Sequence, residues 1–229
     1  MKRYAIYYMP RPDSHFWRLG SSCLGYDAVA GREMISPSHK IFSDQNLAWE
    51  QTQEPRKYGF HATLKAPFSL ASGKTEAELL AFARGFAQTQ TSFELPRLAV
   101  SPMSQFLALT PQEKSDALHA LADSCVREFE PFRAPLGEAD LRRRMATPLS
   151  ERHIKHLETY GYPYVFEDYH FHMTLTGALD APSQQHWLAG LTQVFAPLQQ
   201  PVLCDAIAIF KQERRDSRFS VLAYLPFAS

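Results

Sequence analysis

The chain has 229 residues and a mass of 26.1 kDa, with 24 Lys+Arg against 24 Asp+Glu and 45% hydrophobic residues. That apolar fraction at zero formal net charge excludes a disordered chain and leaves ample material for a buried core. The same balance, with a pI near 7.1, excludes bulk electrostatic binding to nucleic acid or an anionic membrane, but not a single phosphate in a local basic pocket.

In chain order, the first predicted element is a strand over residues 4–9. Its basic start lacks the long apolar run of a signal peptide. Residues 11–57 form an insert without strong periodicity. It carries the turn formers Pro12, Gly20, Gly25, Gly31, Pro37 and Pro55 and the aromatics Phe16, Trp17, Phe42 and Trp49, the pattern of an ordered layer packed over a scaffold. A second strand covers 58–68 and ends at Pro67. Thr75 and Glu78 have capping-box spacing, so a helix runs from 75 to about 90 with Leu79, Leu80, Ala83 and Phe86 on its apolar face.

Strands near 93–100 and 105–109 follow. Thr110-Pro111-Gln112-Glu113 then predicts a helix start with Thr110 as N-cap and Pro111 at the first helical position. That helix carries Leu118, Leu121, Ala122, Cys125, Val126 and Phe129 at helical spacing. A second insert, 131–168, holds the basic run Arg142-Arg143-Arg144 and a predicted helix over 150–160. Next come a strand at 169–177, a helix near 182–195, and strands at 202–211 and 219–225. The order strand–helix–strand–strand thus occurs twice. It predicts an α+β protein: one duplicated, bilobal domain over 1–229, with two mainly antiparallel sheets and flanking helices around a central cleft. The first lobe motif spans about 58–130 and the second about 169–229.

Each repeat opens with Phe-His-x-Thr-Leu, at Phe60-His61-Ala62-Thr63-Leu64 and at Phe171-His172-Met173-Thr174-Leu175. Alternation along a strand puts His61, Thr63 and Lys65 on one face and Phe60, Ala62 and Leu64 on the other. Likewise His170, His172, Thr174 and Thr176 oppose Phe171, Met173 and Leu175. One face suits a core. The other offers an imidazole beside a hydroxyl, as a cleft-lining strand should.

The two motifs resemble those of the 2H phosphoesterase superfamily. More narrowly, the chain resembles a bacterial family of proteins associated with phosphonate-utilisation operons. That narrower likeness extends over Arg3-Tyr4-Ala5-Ile6-Tyr7-Tyr8, Tyr58–Phe68 and Gly161-Tyr162-Pro163-Tyr164-Val165. The resemblance implies a bilobal fold with both motifs facing a cleft, and metal-independent hydrolysis of a small cyclic phosphate or phosphodiester without a cofactor. The operon association suggests a phosphorylated ribose cyclic phosphate from phosphonate breakdown. In such a mechanism His61 and His172 act as general acid and base, in an order the sequence leaves open, since imidazole exchanges protons near neutral pH. Thr63 and Thr174 donate hydrogen bonds to the phosphate oxygens. Lys65 adds positive charge, and Thr176 takes the corresponding place on the second strand.

Among other candidates, Lys211 and Arg214 lie on a charged hairpin tip and can reach a second phosphate, while a solvated tip is the plainer reading. Arg142-Arg143-Arg144 is a helix face or a phosphate clamp. On the first strand Tyr4 and Tyr8 alternate with Tyr7, and one of these tyrosine sets floors the cleft, or both pack within the strand. His170 and His172 have strand spacing that can chelate a metal, the basis of an alternative metal-dependent hydrolase, but no convincing acidic or cysteine ligand sits nearby except Glu167 and Asp168. A further alternative is a non-catalytic module that binds a phosphorylated metabolite or an RNA end in the same cleft. The sequence contains no Gly-rich phosphate loop, Gly-x-Ser-x-Gly elbow or dinucleotide fingerprint. Cys23, Cys125 and Cys204, far apart and without a Cys-x-x-Cys, read as reduced thiols of a cytoplasmic protein. No apolar stretch approaches the roughly 18 residues of a membrane span. The expected partner is a small phosphorylated substrate, with no bulk nucleic acid and no membrane; oligomeric state is left open.

Overall fold

In the computed structural model, which describes residues 1–34, 44–198 and 201–228, the first strand is buried at all six of its positions. This strand, β1 (Arg3–Tyr8), lies inside a sheet with a neighbour on each side, which is why its polar-looking tyrosines are enclosed. Helix α1 (His15–Leu24) follows. It is capped by Ser14 and ended by Gly25, whose positive φ of 73° suits a residue without a Cβ. Phe16 and Trp17 on α1 are buried, as expected of anchoring aromatics, whereas Pro37 and Phe42 lie outside the described residues.

The short pair β2 (Tyr26–Asp27) and β3 (Arg32–Glu33) precedes α2 (Gln45–Gln51), α3 (Gln53–Arg56) and the first motif strand, β4 (Ala62–Phe68). Helix α4 (Glu76–Gln88) begins at the predicted capping box: Thr75 Oγ1 accepts from the Glu78 amide, and Glu78 accepts from the Thr75 amide. Then come β5 (Phe93–Leu95), β6 (Leu98–Met103), β7 (Phe106–Pro111) and α5 (Asp116–Glu128). The predicted helix start at Thr110-Pro111 is corrected here. Both residues remain in β7, paired with Ala99 and Leu98, and the Thr110 hydroxyl donates to Ser101 Oγ at 2.9 Å. The cap is Ser115, whose Oγ accepts from the Leu118 amide at 3.3 Å. A cross-strand partner for Thr110 outweighs its local capping preference.

The second half contains α6 (Glu138–Arg144), α7 (Glu151–Tyr160), β8 (Met173–Thr174), α8 (Ala181–Phe195), β9 (Val202–Cys204), β10 (Ala206–Gln212) and β11 (Ser220–Pro226). The strand predicted over 169–177 is regular only at Met173–Thr174. The protein is α+β, with antiparallel sheets and flanking helices around a cleft. Strand order in the main sheet is β11-β10-β1-β4-β8-β7-β6, and its pairings are antiparallel.

This order exchanges strands between the sequence repeats. The hairpin β6–β7, which follows the first motif, pairs with the second motif strand β8. The hairpin β10–β11, which follows the second motif, reaches the first motif strand β4 through β1. Each half of the sheet therefore draws on both repeats, and the halves join where β4 meets β8.

Candidate active site

The join between β4 and β8 places the two motifs side by side. Ala62 pairs with Met173, and both are fully buried toward the core. Their neighbours His61, Thr63, His172 and Thr174 must then point to the opposite face, where all four are partly accessible. One step from the Ala62–Met173 pair in an antiparallel register, His61 stands opposite Thr174 and Thr63 opposite His172. The cavities follow that diagonal. One of about 330 Å³ is lined by His61 and Thr174 together with Tyr58 and Phe106. A second, of about 430 Å³, is lined by Thr63 and His172 with Phe106 and Tyr162.

Backbone carbonyls fix both imidazoles. His61 Nδ1 lies 2.9 Å from the Gly59 carbonyl oxygen, and His172 Nδ1 lies 2.8 Å from that of His170. A carbonyl only accepts, so Nδ1 carries the proton in each ring and Nε2 presents its lone pair. The Thr63 hydroxyl donates to His61 Nε2 at 3.3 Å. Tyr7 stacks beneath His61 with ring centroids 3.7 Å apart and planes 24° from parallel. Gly59 makes the approach to His61 with φ 79°, and a Cβ there would press on Ala28.

Burial pushes the His61 imidazole down to about 4, against its carbonyl partner, and it lowers His172 in the same direction. Both rings are therefore neutral at pH 7. The unfolded His61 takes up its proton near 6.5 and the folded one near 4, so between these values the unfolded state holds more protons. Stability should rise with pH across that window, be complete above 6.5 and be lost as pH falls toward 4. Urea midpoints of wild type and His61→Gln at pH 4.5, 5.5 and 7 test this; an equally steep acid loss in the variant would remove His61 as a source.

The other predicted site residues lie elsewhere. Lys65 leaves the histidine face because the β1–β4 register slips between Tyr7–Thr63 and Ile6–Lys65, so strict alternation ends at Thr63. Its Nζ donates to the Val126 carbonyl and to Glu130, each at 2.8 Å, beneath α5. Thr176 borders the His61 cavity, but its Oγ1 is taken by the Leu107 amide at 3.0 Å. The Tyr4 hydroxyl donates to Glu76 at 2.7 Å, and Lys211 bridges Glu76 and Glu213. Burial and the Glu76 hydrogen bond raise Tyr4 to about 12. Arg214 is exposed and pairs with Asp216. Of the two tyrosine sets on the first strand it is Tyr7 that lies against a histidine, whereas sequence reasoning missed Tyr58, Phe106 and Tyr162, which complete the frame. Only the Tyr58 and Tyr162 positions, inside the two motif neighbourhoods, carried any signal.

A metal centre at His170 and His172 gains no support, since no group of three or more His, Cys, Asp or Glu side chains suited to a metal occurs among the described residues. Asp168 is instead engaged with Arg152 and His153.

The fold and site thus define an α+β protein whose central strand pair presents two His–Thr motifs as one diagonal patch. The chain belongs to the family described as protein of unknown function (DUF1045), whose model matches residues 63–220. It is 37% identical over 239 aligned residues to the ribose 1,5-bisphosphate phosphokinase PhnN of Janthinobacterium sp. (strain Marseille), covering 100% of this chain and 51% of that protein. The protein of the same name from Laribacter hongkongensis (strain HLHK9) is 37% identical over 218 residues, covering 95% of this chain and 50% of its own length. The chain spans about half the length of the curated relatives it matches. Similar solved structures include E. coli LigT complexed with 3'-AMP, at 13% identity and a TM-score of 0.44 with 100% and 99% of the chains covered. Another is a phosphoesterase at 13% identity and TM-score 0.42, with both chains fully covered.

These findings correct the expectation of a 2H-type phosphoesterase. Relatives at 37% identity carry the name of a phosphoryl-transfer enzyme, while the likeness to solved phosphoesterases is too slight to support hydrolase or cyclic phosphodiesterase chemistry.

Proposed function

We propose that the chain binds a small phosphorylated pentose on its His–Thr face, as the acceptor side of a phosphoryl-transfer reaction. The observation that carries this reading is the paired presentation of two neutral imidazoles, each with its Nε2 lone pair free of the backbone, beside two threonine hydroxyls. His172 Nε2 accepts from a sugar hydroxyl and Thr174 donates to a phosphate oxygen, while the Thr63 hydroxyl, which donates to His61 Nε2 in the free protein, turns to a phosphate oxygen as a sugar hydroxyl takes its place on that ring. The name of the relatives supplies the substrate class, a ribose bisphosphate. The absence of a Gly-rich phosphate loop from the sequence argues that the phosphoryl donor is held elsewhere. Buried, unpaired Cys23, Cys125 and Cys204 support a cytoplasmic setting, and no helix among the described residues is long and apolar enough to cross a membrane.

Calorimetric titration with ribose 5-phosphate and ribose 1,5-bisphosphate tests the reading. Saturable binding is expected in wild type, weakened about tenfold in His61→Ala through loss of one buried hydrogen-bonding group. No binding of either sugar phosphate, or equal affinity for unphosphorylated ribose, overturns it.

A further inference from the structure

Beside the His–Thr face lies a cluster of cations that the site has not used. A cavity of about 260 Å³ is lined by Arg3 from β1, Arg143 and Arg144 from α6, and Arg215 from the β10–β11 turn. One carboxylate of the cavity wall, Asp140, answers them, and it accepts from both Arg143, at 2.9 Å, and Arg215. Arg3 is buried, yet its guanidinium donates to the neutral amide oxygen of Gln212, with Nε at 2.7 Å. Among the described residues neither Arg3 nor Arg144 has a carboxylate partner. The buried Arg144 Nε has no hydrogen-bond partner at all, and its guanidinium sits 5.1 Å over the Tyr162 ring.

A fifth arginine of the wall, Arg133, is neutralised by Glu130; the other four, from three separate chain segments and held by one acid, leave a local excess of positive charge in a concave and partly dry place. Such an arrangement repels itself unless an anion completes it. Burial and neighbouring arginines accordingly disfavour the charge on Arg3. Guanidinium groups match phosphate geometry, offering paired N–H donors to two oxygens.

We infer that Arg3, Arg143, Arg144 and Arg215 form a binding site for a phosphate group, separate from the His–Thr face and serving the second phosphate of a bisphosphorylated ligand. The link to the first site is physical. Ala66 borders both this cavity and the one that holds Thr63 and His172. Tyr162 lines the latter cavity while carrying Arg144 on its ring. A short sugar bearing phosphates at its two ends can then span from the histidines to the arginines. That spanning rests on the function proposed above; the anion site itself does not.

The test measures binding of inorganic phosphate, ribose 5-phosphate and ribose 1,5-bisphosphate to wild type, Arg144→Gln, Arg215→Gln, His61→Ala and the control Arg142→Gln, whose side chain does not line the cavity. Thermal midpoints verify that each variant is folded. Arg144→Gln and Arg215→Gln should each weaken the bisphosphate about tenfold, with Arg142→Gln within about twofold of wild type. Unchanged binding of all three probes in both arginine variants overturns the site. Loss of inorganic phosphate binding alone, with the sugar phosphates unaffected, overturns its role in ligand recognition. If the arginine variants lose binding and His61→Ala does not, the arginine site stands and the reading of the histidine face falls.

Discussion

Phe60→Ala is expected to destabilise the protein by about 3–5 kcal/mol, the cost of emptying a fully enclosed aromatic site. Phe60 is completely buried and meets Phe16 edge-on at 5.3 Å and Trp17 at 6.5 Å, both on α1. It occupies the space that Gly20 leaves open, since a Cβ on Gly20 would overlap the Phe60 ring. Gly20→Ala in the wild type should therefore cost about 1–3 kcal/mol through overpacking, although alanine is the better helix former by about 1 kcal/mol. In the Phe60→Ala background the overlap is gone, and the same change should become neutral or stabilising. Urea denaturation of the four proteins measures this cycle. Additive effects would show that α1 does not rest on Phe60 as described. Phe60 directly precedes His61, so its loss should also loosen the imidazole and weaken sugar-phosphate binding.

Glu130→Ala should cost about 3 kcal/mol, and Lys65→Met about 1 kcal/mol or less. Lys65 is enclosed, with 3% of its side chain exposed, and Glu130 is the carboxylate that neutralises it at 2.8 Å. Glu130 is 25% exposed and also holds Arg133 at 2.6 Å. Removing Lys65 leaves Glu130 still paired and partly hydrated, whereas removing Glu130 strands a buried ammonium on the Val126 carbonyl. Burial already lowers the Lys65 ammonium from its ordinary 10.5, opposed chiefly by Glu130. Without that carboxylate the folded state releases the lysine proton before the unfolded state does, so stability rises with pH up to about 10.5. The penalty of Glu130→Ala should thus shrink between pH 7 and 10. Equal costs for the two substitutions, or a penalty independent of pH, would refute the asymmetry.

Much of this architecture was legible in the residues, and the failures share a cause. The Thr75–Glu78 box located the start of α4 to within a residue because a capping box is satisfied locally. Thr110-Pro111 offered an equally local signal and misled, since the partner of Thr110 is Ser101, nine residues back and across the β6–β7 hairpin. Alternation placed His61, Thr63, His172 and Thr174 on one face correctly. The same rule extended to Lys65 failed, because the register against β1 slips between Thr63 and Lys65 and turns the lysine to the other face. For Tyr4 and Lys211 the sequence leaves a cleft role beside a packed strand and a solvated tip; as a cross-strand pair of β1 and β10 they meet at Glu76 on α4. The aromatic frame of Tyr7, Phe106 and Tyr162 comes from three segments far apart in the chain, and no spacing rule links them.

By itself the sequence determined the element types, the α+β class and the two strands bearing histidine and threonine. These follow from periodicity and capping, which act over a few residues. Its 24 cations against 24 anions gave the expectation that the protein does not coat nucleic acid or membrane. Only the tertiary structure decided how those charges are spent: Lys65 and Lys211 are neutralised by carboxylates, while Arg3 and Arg144 line a cavity whose one carboxylate, Asp140, is engaged by Arg143 and Arg215. It also decided that the two copied motifs pair with each other, each completed by the other copy's hairpin. Strand pairing and charge pairing depend on which distant segments share a surface. That is set by the sum of packing over the whole chain, and not by any interval within it.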